Sequence, residues 1–243
     1  IPALERPDGP TLYDSRVITR YLDDLMHAGL YPAAPRLWDT LVIEATADGI
    51  AEVFLAVGSA LSNDMAPNDT GASVDVLLFA RTAHYLRPDL SDAALLVAET
   101  LERQGQHDLA IAAYGLVAPE SPDHLEAELG RADALISTDR MDAAIEVLQQ
   151  LAKSLPERVQ VWAALGDTLR RNERFEESIV AYDKALALVK EPQPQHWALY
   201  YARAICFERL KDWGRAEPDF LKALTLSPDQ PQVLNYLGYS YLE

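Results

Sequence analysis

This chain of 243 residues holds side chains able to do acid–base, metal or nucleophilic chemistry, but few stand at spacings that such chemistry uses. The five histidines are His27, His84, His107, His124 and His196; none lies four residues from another or beside a cysteine, so no helix sets two imidazoles over one metal ion. Cys206 is the only cysteine, which excludes an internal disulfide and a paired-cysteine metal site. Its neighbours, Tyr200-Tyr201-Ala202-Arg203-Ala204-Ile205 and Phe207, are apolar or aromatic for the most part, and a buried structural thiol is expected. There is no Gly-rich phosphate loop, Gly-x-Ser-x-Gly elbow or Cys/His nucleophile pair. Glu99, Glu102, Asp133 and Asp167 could serve as paired acids, but on amphipathic helices such carboxylates ordinarily form a solvated face. We therefore expect no enzyme, no metal and no cofactor.

The elements that carry these residues repeat. Trp162-Ala163-Ala164-Leu165-Gly166-Asp167-Thr168-Leu169 and Leu234-Asn235-Tyr236-Leu237-Gly238-Tyr239-Ser240-Tyr241 share one large-x-x-Leu-Gly-x-x-large spacing, which a helix turns into a single face. Phe175, Ser178, Tyr182 and Ala185 follow the first copy. Trp213, Ala216, Phe220, Ala223 and Pro228 follow a weaker copy that begins at Tyr200. Met141, Ala144, Leu148, Leu151 and Pro156 keep the same rhythm, as do His107, Ala110, Tyr114, Val117 and Pro122. Pro88, Pro122 and Pro156 are 34 residues apart.

A 34-residue period with two helices per unit, small residues at the crossings and Pro closing the second helix resembles the tetratricopeptide repeat. The resemblance implies an all-α fold, a right-handed α-solenoid of helix hairpins. Each pair has an apolar face that only a stacked neighbour can cover. Units are expected at about 91–122, 125–156, 159–190 and 197–228, with a half repeat at 231–243 and Glu191-Pro192-Gln193-Pro194 as an insertion. A stretched unit is expected over 49–88, broken by a loop from Asn63 to Gly71. Glu173 occupies the inter-helix turn place that Gly105 holds earlier, and Ser178 stands where the family places a small Ala.

In this family the first helix of each pair lines the concave surface, where partners bind as extended peptides or helices. Carried over to this sequence, the resemblance puts Leu95, Glu99, Glu102, Leu129, Asp133, Ala163, Asp167, Arg170, Tyr201, Ile205, Asn235 and Tyr239 near a peptide-binding groove. The groove reads as acidic early and aromatic later, suited to a basic or amphipathic segment with apolar anchors. Some members grip a C-terminal carboxylate with Lys and Asn. Here Leu95, Leu129, Glu99, Asp133 and Asp167 take those places, and that clamp is not expected.

The first fifty residues do not fit the period. Ile1 to Arg6, Pro7-Asp8-Gly9-Pro10 and Thr11-Leu12-Tyr13 read as two short strands around a turn, a β-hairpin. Asp14-Ser15 then caps a helix from Arg16 to about His27 that buries Val17, Ile18, Tyr21, Leu22 and Leu25. This order resembles the later half of the thioredoxin-like domain of glutathione S-transferases, and residues 33–48 resemble the start of that family's helical domain. The resemblance implies a vestigial glutathione site at Pro2, Asp14 and Ser15. The strand, helix and strand that carry the family's catalytic residue have no counterpart, so a non-catalytic remnant over 1–48 is the alternative function. The sequence begins at Ile1, not Met, and ends inside a helical pattern; a fragment of a longer protein is expected.

The formal net charge is −17, from 21 Lys and Arg against 38 Asp and Glu, with no basic cluster. Nucleic acid needs clustered cations, so it is not the expected partner. No apolar run approaches the roughly 20 residues of a membrane span. A cytoplasmic protein-interaction scaffold is the expected class, with end-to-end self-association through an uncapped face at Leu234, Leu237 and Tyr241.

Overall fold

The computed structural model of the chain describes residues 4–6, 9–12, 46–64, 70–228 and 230–240. Two short strands, β1 (Leu4–Arg6) and β2 (Gly9–Leu12), pair antiparallel. The helix expected at 16–27, and Pro2, Asp14 and Ser15, lie outside the described residues. The rest is helical: α1 (Thr46–Asp64), α2 (Thr70–Leu86), α3 (Ser91–Arg103), α4 (His107–Tyr114), α5 (His124–Ser137), α6 (Met141–Ser154), α7 (Val159–Arg171), α8 (Phe175–Leu188), α9 (Trp197–Arg209), α10 (Trp213–Leu226) and α11 (Pro231–Ser240).

The chain divides into two compact units, Ile1–Gln104 with Leu116–Ala118, and Gly105–Gly115 with Pro119–Glu243. In the first, α1, α2 and α3 pack through small residues; Ala51, Ala80, Ala83, Ala93 and Ala98 have no exposed surface. A Cβ on Gly58 would stand 3.3 Å from Leu96 Cδ2 and 3.4 Å from Phe79 Cβ, so glycine keeps this crossing close. Phe54 and Phe79 meet at 5.8 Å, and Arg87 Nη1 donates to Glu52 Oε1 at 2.8 Å. The loop expected from Asn63 to Gly71 is shorter than its composition suggests. Asn63 and Asp64 still belong to α1, while Thr70 and Gly71 already belong to α2, because packing between the two helices outweighs local propensity.

In the second unit, hairpins α5/α6, α7/α8 and α9/α10 stack in sequence, with α4 against α5 and α11 against α10. Helices α6 and α10 end two residues before Pro156 and Pro228, as a missing N–H and a restricted preceding residue require. Helix α4 departs from the rhythm: it stops at Tyr114, with Gly115 as its C-cap, and Val117 is buried without being helical. The Gly115 to Pro122 stretch, with two prolines, cannot sustain the expected full-length second helix.

The turns inside the hairpins show why the period survives sequence change. Asp139, Glu173 and Lys211 have φ of 60°, 58° and 61°, and Gly105 has 70°. After each of the three non-glycine residues, the next amide bonds back to the helix. Arg140 N–H reaches Leu135 O, Arg174 N–H reaches Leu169 O, and Asp212 N–H reaches Phe207 O, each at 2.9 Å. With the companion bonds from Asp139 to Ile136, Glu173 to Arg170 and Lys211 to Glu208, these are Schellman caps. The left-handed residues are 34 apart and then 38 apart, the extra four being the Glu191–Pro194 insertion, which leads into a 3₁₀ turn at Pro194–His196.

Two apolar clusters form the core of this unit. One runs through α5 to α8 and includes Leu135, Leu148, Val161, Leu165 and Leu169. The other runs through α8 to α11 around Tyr182 and Phe220, both fully buried. Leu237 belongs to the second cluster and is 6% exposed, which corrects its assignment to an open terminal face. Leu234 is 51% exposed, and Tyr241 lies outside the described residues. The difference follows from helix phase: Leu237 and Val233 face α9 and α10 while Leu234 turns away.

Candidate functional site

The first helices of successive hairpins touch one another, α5 with α7 and α7 with α9, and so share a face of the second unit. Ala163, Asp167 and Arg170 stand about one turn apart along α7. Tyr182 OH, on α8, donates to Asp167 Oδ1 at 2.8 Å. Arg170 Nη2 donates to the same oxygen at 3.2 Å, and Arg170 Nε donates to Tyr182 OH at 3.4 Å. Burial pushes the Tyr182 phenol well above the usual tyrosine range. Burial also works against the Arg170 charge, but the bonds to Tyr182 and Asp167 outweigh it and hold the guanidinium cationic.

Beneath this triad a Cβ on Gly166 would stand 2.7 Å from Tyr182 Cε1, so only glycine lets the ring lie there. Ser178 Oγ donates to Gly166 O at 2.7 Å and lies 3.3 Å from Cys206 Sγ. The hydroxyl placed where the family has alanine is therefore satisfied. Cys206 is fully buried, and burial raises its thiol pKa, so it packs and does not react readily.

Around α9 the side chains are largely aromatic. Tyr201 meets Trp197, Phe220 and Tyr236 at ring distances of 5.7, 6.0 and 6.1 Å. Burial raises the Tyr201 pKa, and the Arg170 charge works against that rise. Behind the ring cluster Arg203 binds Asp219 through two bonds of 2.7 and 2.8 Å and Asp183 through one of 2.6 Å. Asp219 is 7% exposed, so this ion pair belongs to the core of the last hairpin.

The sequence-predicted groove residues are placed unevenly. In the second unit Asp133 and Asn235 are exposed, and Leu129, Ala163, Asp167, Arg170, Tyr201 and Ile205 are half-buried. Tyr239 lies on α11, and its side chain is outside the described residues. In the first unit Glu99 is exposed and Glu102 half-buried, while Leu95, at 7% exposure, is a core residue. Its spacing fits a groove position, but neighbouring helices cover it. Sequence reading did not link Asp167 and Arg170 to Tyr182. The three-residue spacing of Asp167 and Arg170 was the available signal, whereas the phenol comes from another helix. Among the described residues no three His, Cys, Asp or Glu side chains gather as a metal site, and no helix is long and apolar enough to cross a membrane.

Two family models, both named for the tetratricopeptide repeat, match residues 101–167 and 163–231. Residues 101–231 are tetratricopeptide repeats. The chain is 27% identical over 140 residues to the TPR repeat-containing protein PA4667 of Pseudomonas aeruginosa, covering 57% of this chain and 23% of that protein. It is 24% identical over 179 residues to the general transcriptional corepressor ssn6 of Schizosaccharomyces pombe, covering 69% of this chain and 16% of the relative. The chain thus spans less than a quarter of the length of the curated relatives it matches. Among solved structures, MamA from Desulfovibrio magneticus RS-1 superposes with a TM-score of 0.60 at 18% identity, over 74% of this chain and 97% of that one. YrrB, described as a TPR protein with an unusual peptide-binding site, gives 0.61 at 13% identity, over 83% and 97%. At these identities the likeness establishes the tetratricopeptide fold.

Proposed function

We propose that the tetratricopeptide array is an interaction scaffold that holds an extended peptide or helix of a partner protein along the shared face of α5, α7, α9 and α11. The observation that carries this reading is the run of half-buried side chains on successive first helices, Leu129, Ala163, Tyr201 and Ile205, beside the exposed Asp133 and Asn235. Such a face offers apolar contact with polar groups spaced along it, which is the chemistry of peptide recognition. Asp133 toward the start favours a basic group on the partner, and the Tyr201 ring cluster favours an apolar or aromatic anchor. YrrB's described peptide-binding site supports a peptide as the form of ligand.

Panning a displayed random-peptide library against the chain tests the reading. Selected peptides are expected to lose binding to Ala163→Arg, which fills the centre of the face, and to weaken with Tyr201→Ala. Peptides that bind Ala163→Arg as well as the original chain would place recognition elsewhere.

A further inference from the structure

We infer that the outer face of α2 pairs with the same face of a second copy of this chain, antiparallel across a two-fold axis at Leu78. This surface lies on a different helix from the proposed peptide face, and the inference stands without that reading.

Helix α2 reverses the usual arrangement of a surface helix. Its covered face is made of small or medium side chains, Ser73, Val76, Ala80 and Ala83, none more than 3% exposed, whereas Val74, Leu78 and Tyr85 are 62%, 61% and 83% exposed. With Val53 and Val57 on α1, five of the ten exposed large apolar side chains among the described residues fall on this one hairpin. Scattered singly, such residues need no explanation; gathered along one stripe, they mark a contact surface. From Gly71 to Tyr85 the stripe runs about 21 Å at the helical rise.

The stripe reads the same from either end. Three residues from Leu78 stand Asp75 on one side and Arg81 on the other; four away stand Val74 and Thr82; seven away stand Gly71 and Tyr85. Steps of three, four and seven keep to one face of a helix. In an antiparallel pair centred on Leu78, the two leucines meet on the axis and each Val74 meets Thr82 of the other copy. The Thr82 hydroxyl already donates to Leu78 O at 2.7 Å, so it needs no acceptor across the contact. Each Tyr85 ring lies over Gly71 of the other copy, where no side chain obstructs it. Each Asp75 comes opposite Arg81, and the axis makes that pair twice. Both charges are exposed, and neither has an ion pair or side-chain hydrogen bond among the described residues.

This symmetry selects the occupant. A foreign helix needs no match between the two ends of the stripe, but an isologous contact requires each end to complement the other. A parallel pair would set Asp75 against Asp75 and Arg81 against Arg81, which repels. The chain carries a net charge of −17, so most approaches of two copies are also repulsive, and association is confined to a patch whose charges alternate. An interface centred on one helix pair belongs to the small end of specific contacts, below about 1,200 Å², so a reversible dimer is expected.

Sedimentation equilibrium of the whole chain, from about 1 μM to about 500 μM, tests the pairing. The expected result is a monomer–dimer equilibrium that stops at two chains. Leu78→Asp changes an exposed position and sets two carboxylates together on the axis, so the dissociation constant should rise about tenfold or more. Arg81→Asp and Asp75→Arg should each weaken association severalfold, since each places like charges opposite one another. Mixing these two single variants should restore it, because every facing pair then joins a cation to a carboxylate. The charge variants decide the question if Leu78→Asp loses its helical circular dichroism. A chain that stays single at every concentration, or one that associates equally well as Leu78→Asp, would overturn the surface. Growth beyond two chains, or no recovery on mixing the charge variants, would overturn the two-fold antiparallel pairing.

Discussion

Gly166→Ala adds one methyl group where the structure leaves no room for it, and the cost can be worked from the contacts. The new Cβ would meet Tyr182 Cε1, Cδ1 and Cζ at 2.7, 2.9 and 2.9 Å, and the ring cannot retreat because Tyr182 is fully buried and tied to Asp167. Overpacking of this kind costs about 1–3 kcal/mol. Replacing glycine by alanine inside a helix returns about 1 kcal/mol of propensity, so the net expectation is a loss of about 1 kcal/mol. The preceding hairpin shows how the conflict is relieved: 34 residues earlier, Ala132 and Leu148 stand in the places of Gly166 and Tyr182, both 1% exposed in one cluster. In a Tyr182→Leu background the added methyl should therefore stabilise, and the double-mutant cycle should show a coupling of about 1–3 kcal/mol. Urea denaturation followed by far-UV circular dichroism measures all four proteins. A Gly166→Ala chain more stable than the original, or an effect equal in both backgrounds, would refute the claim that Tyr182 dictates glycine there.

Three further changes probe the turns and the buried charges. Glu173 holds φ at 58°, a conformation costing an L-residue about 1–2 kcal/mol, so Glu173→Gly should raise stability by about 0.5–1 kcal/mol once glycine's extra unfolded-state freedom is deducted. Gly105→Ala, at φ 70° with no atom within 4 Å of the new Cβ, should lower the urea midpoint through backbone strain alone. Asp219→Ala leaves Arg203 without its two-bond partner in the core and should cost about 3–5 kcal/mol, whereas Asp183→Ala, at a 53% exposed side chain, should cost about 0–1 kcal/mol. Equal losses in thermal melts of the last two variants would contradict the assignment of Asp219 to the core.

Much of the array was legible because its signals are local. The Met141, Ala144, Leu148, Leu151 spacing and the closing Pro156 give α6 its apolar face and its end, and Phe175, Ser178, Tyr182 and Ala185 give α8 its packed face. The turn place held by Gly105 and Glu173 was also readable from the period, and both residues adopt the left-handed conformation it requires. Helix α4 was overextended because Val117 kept the rhythm while Gly115 and the following prolines had already ended the helix. Leu95 and Leu237 were misplaced for one shared reason: spacing along a helix names its faces but not which neighbour covers each of them. The candidate site was legible only as separate residues. Asp167 and Arg170 belong to one helix, but Tyr182 reaches them from another.

What the sequence determined by itself is the hairpin repeat and its period, because helix phase, small residues at the crossings and chain-breaking prolines each act within a few residues. Only the tertiary structure decided how the charges are used. Whether Asp167 faces a ligand or is tied to Arg170 and Tyr182 depends on a phenol 15 residues away arriving over Gly166, and that follows from how closely two helices pack.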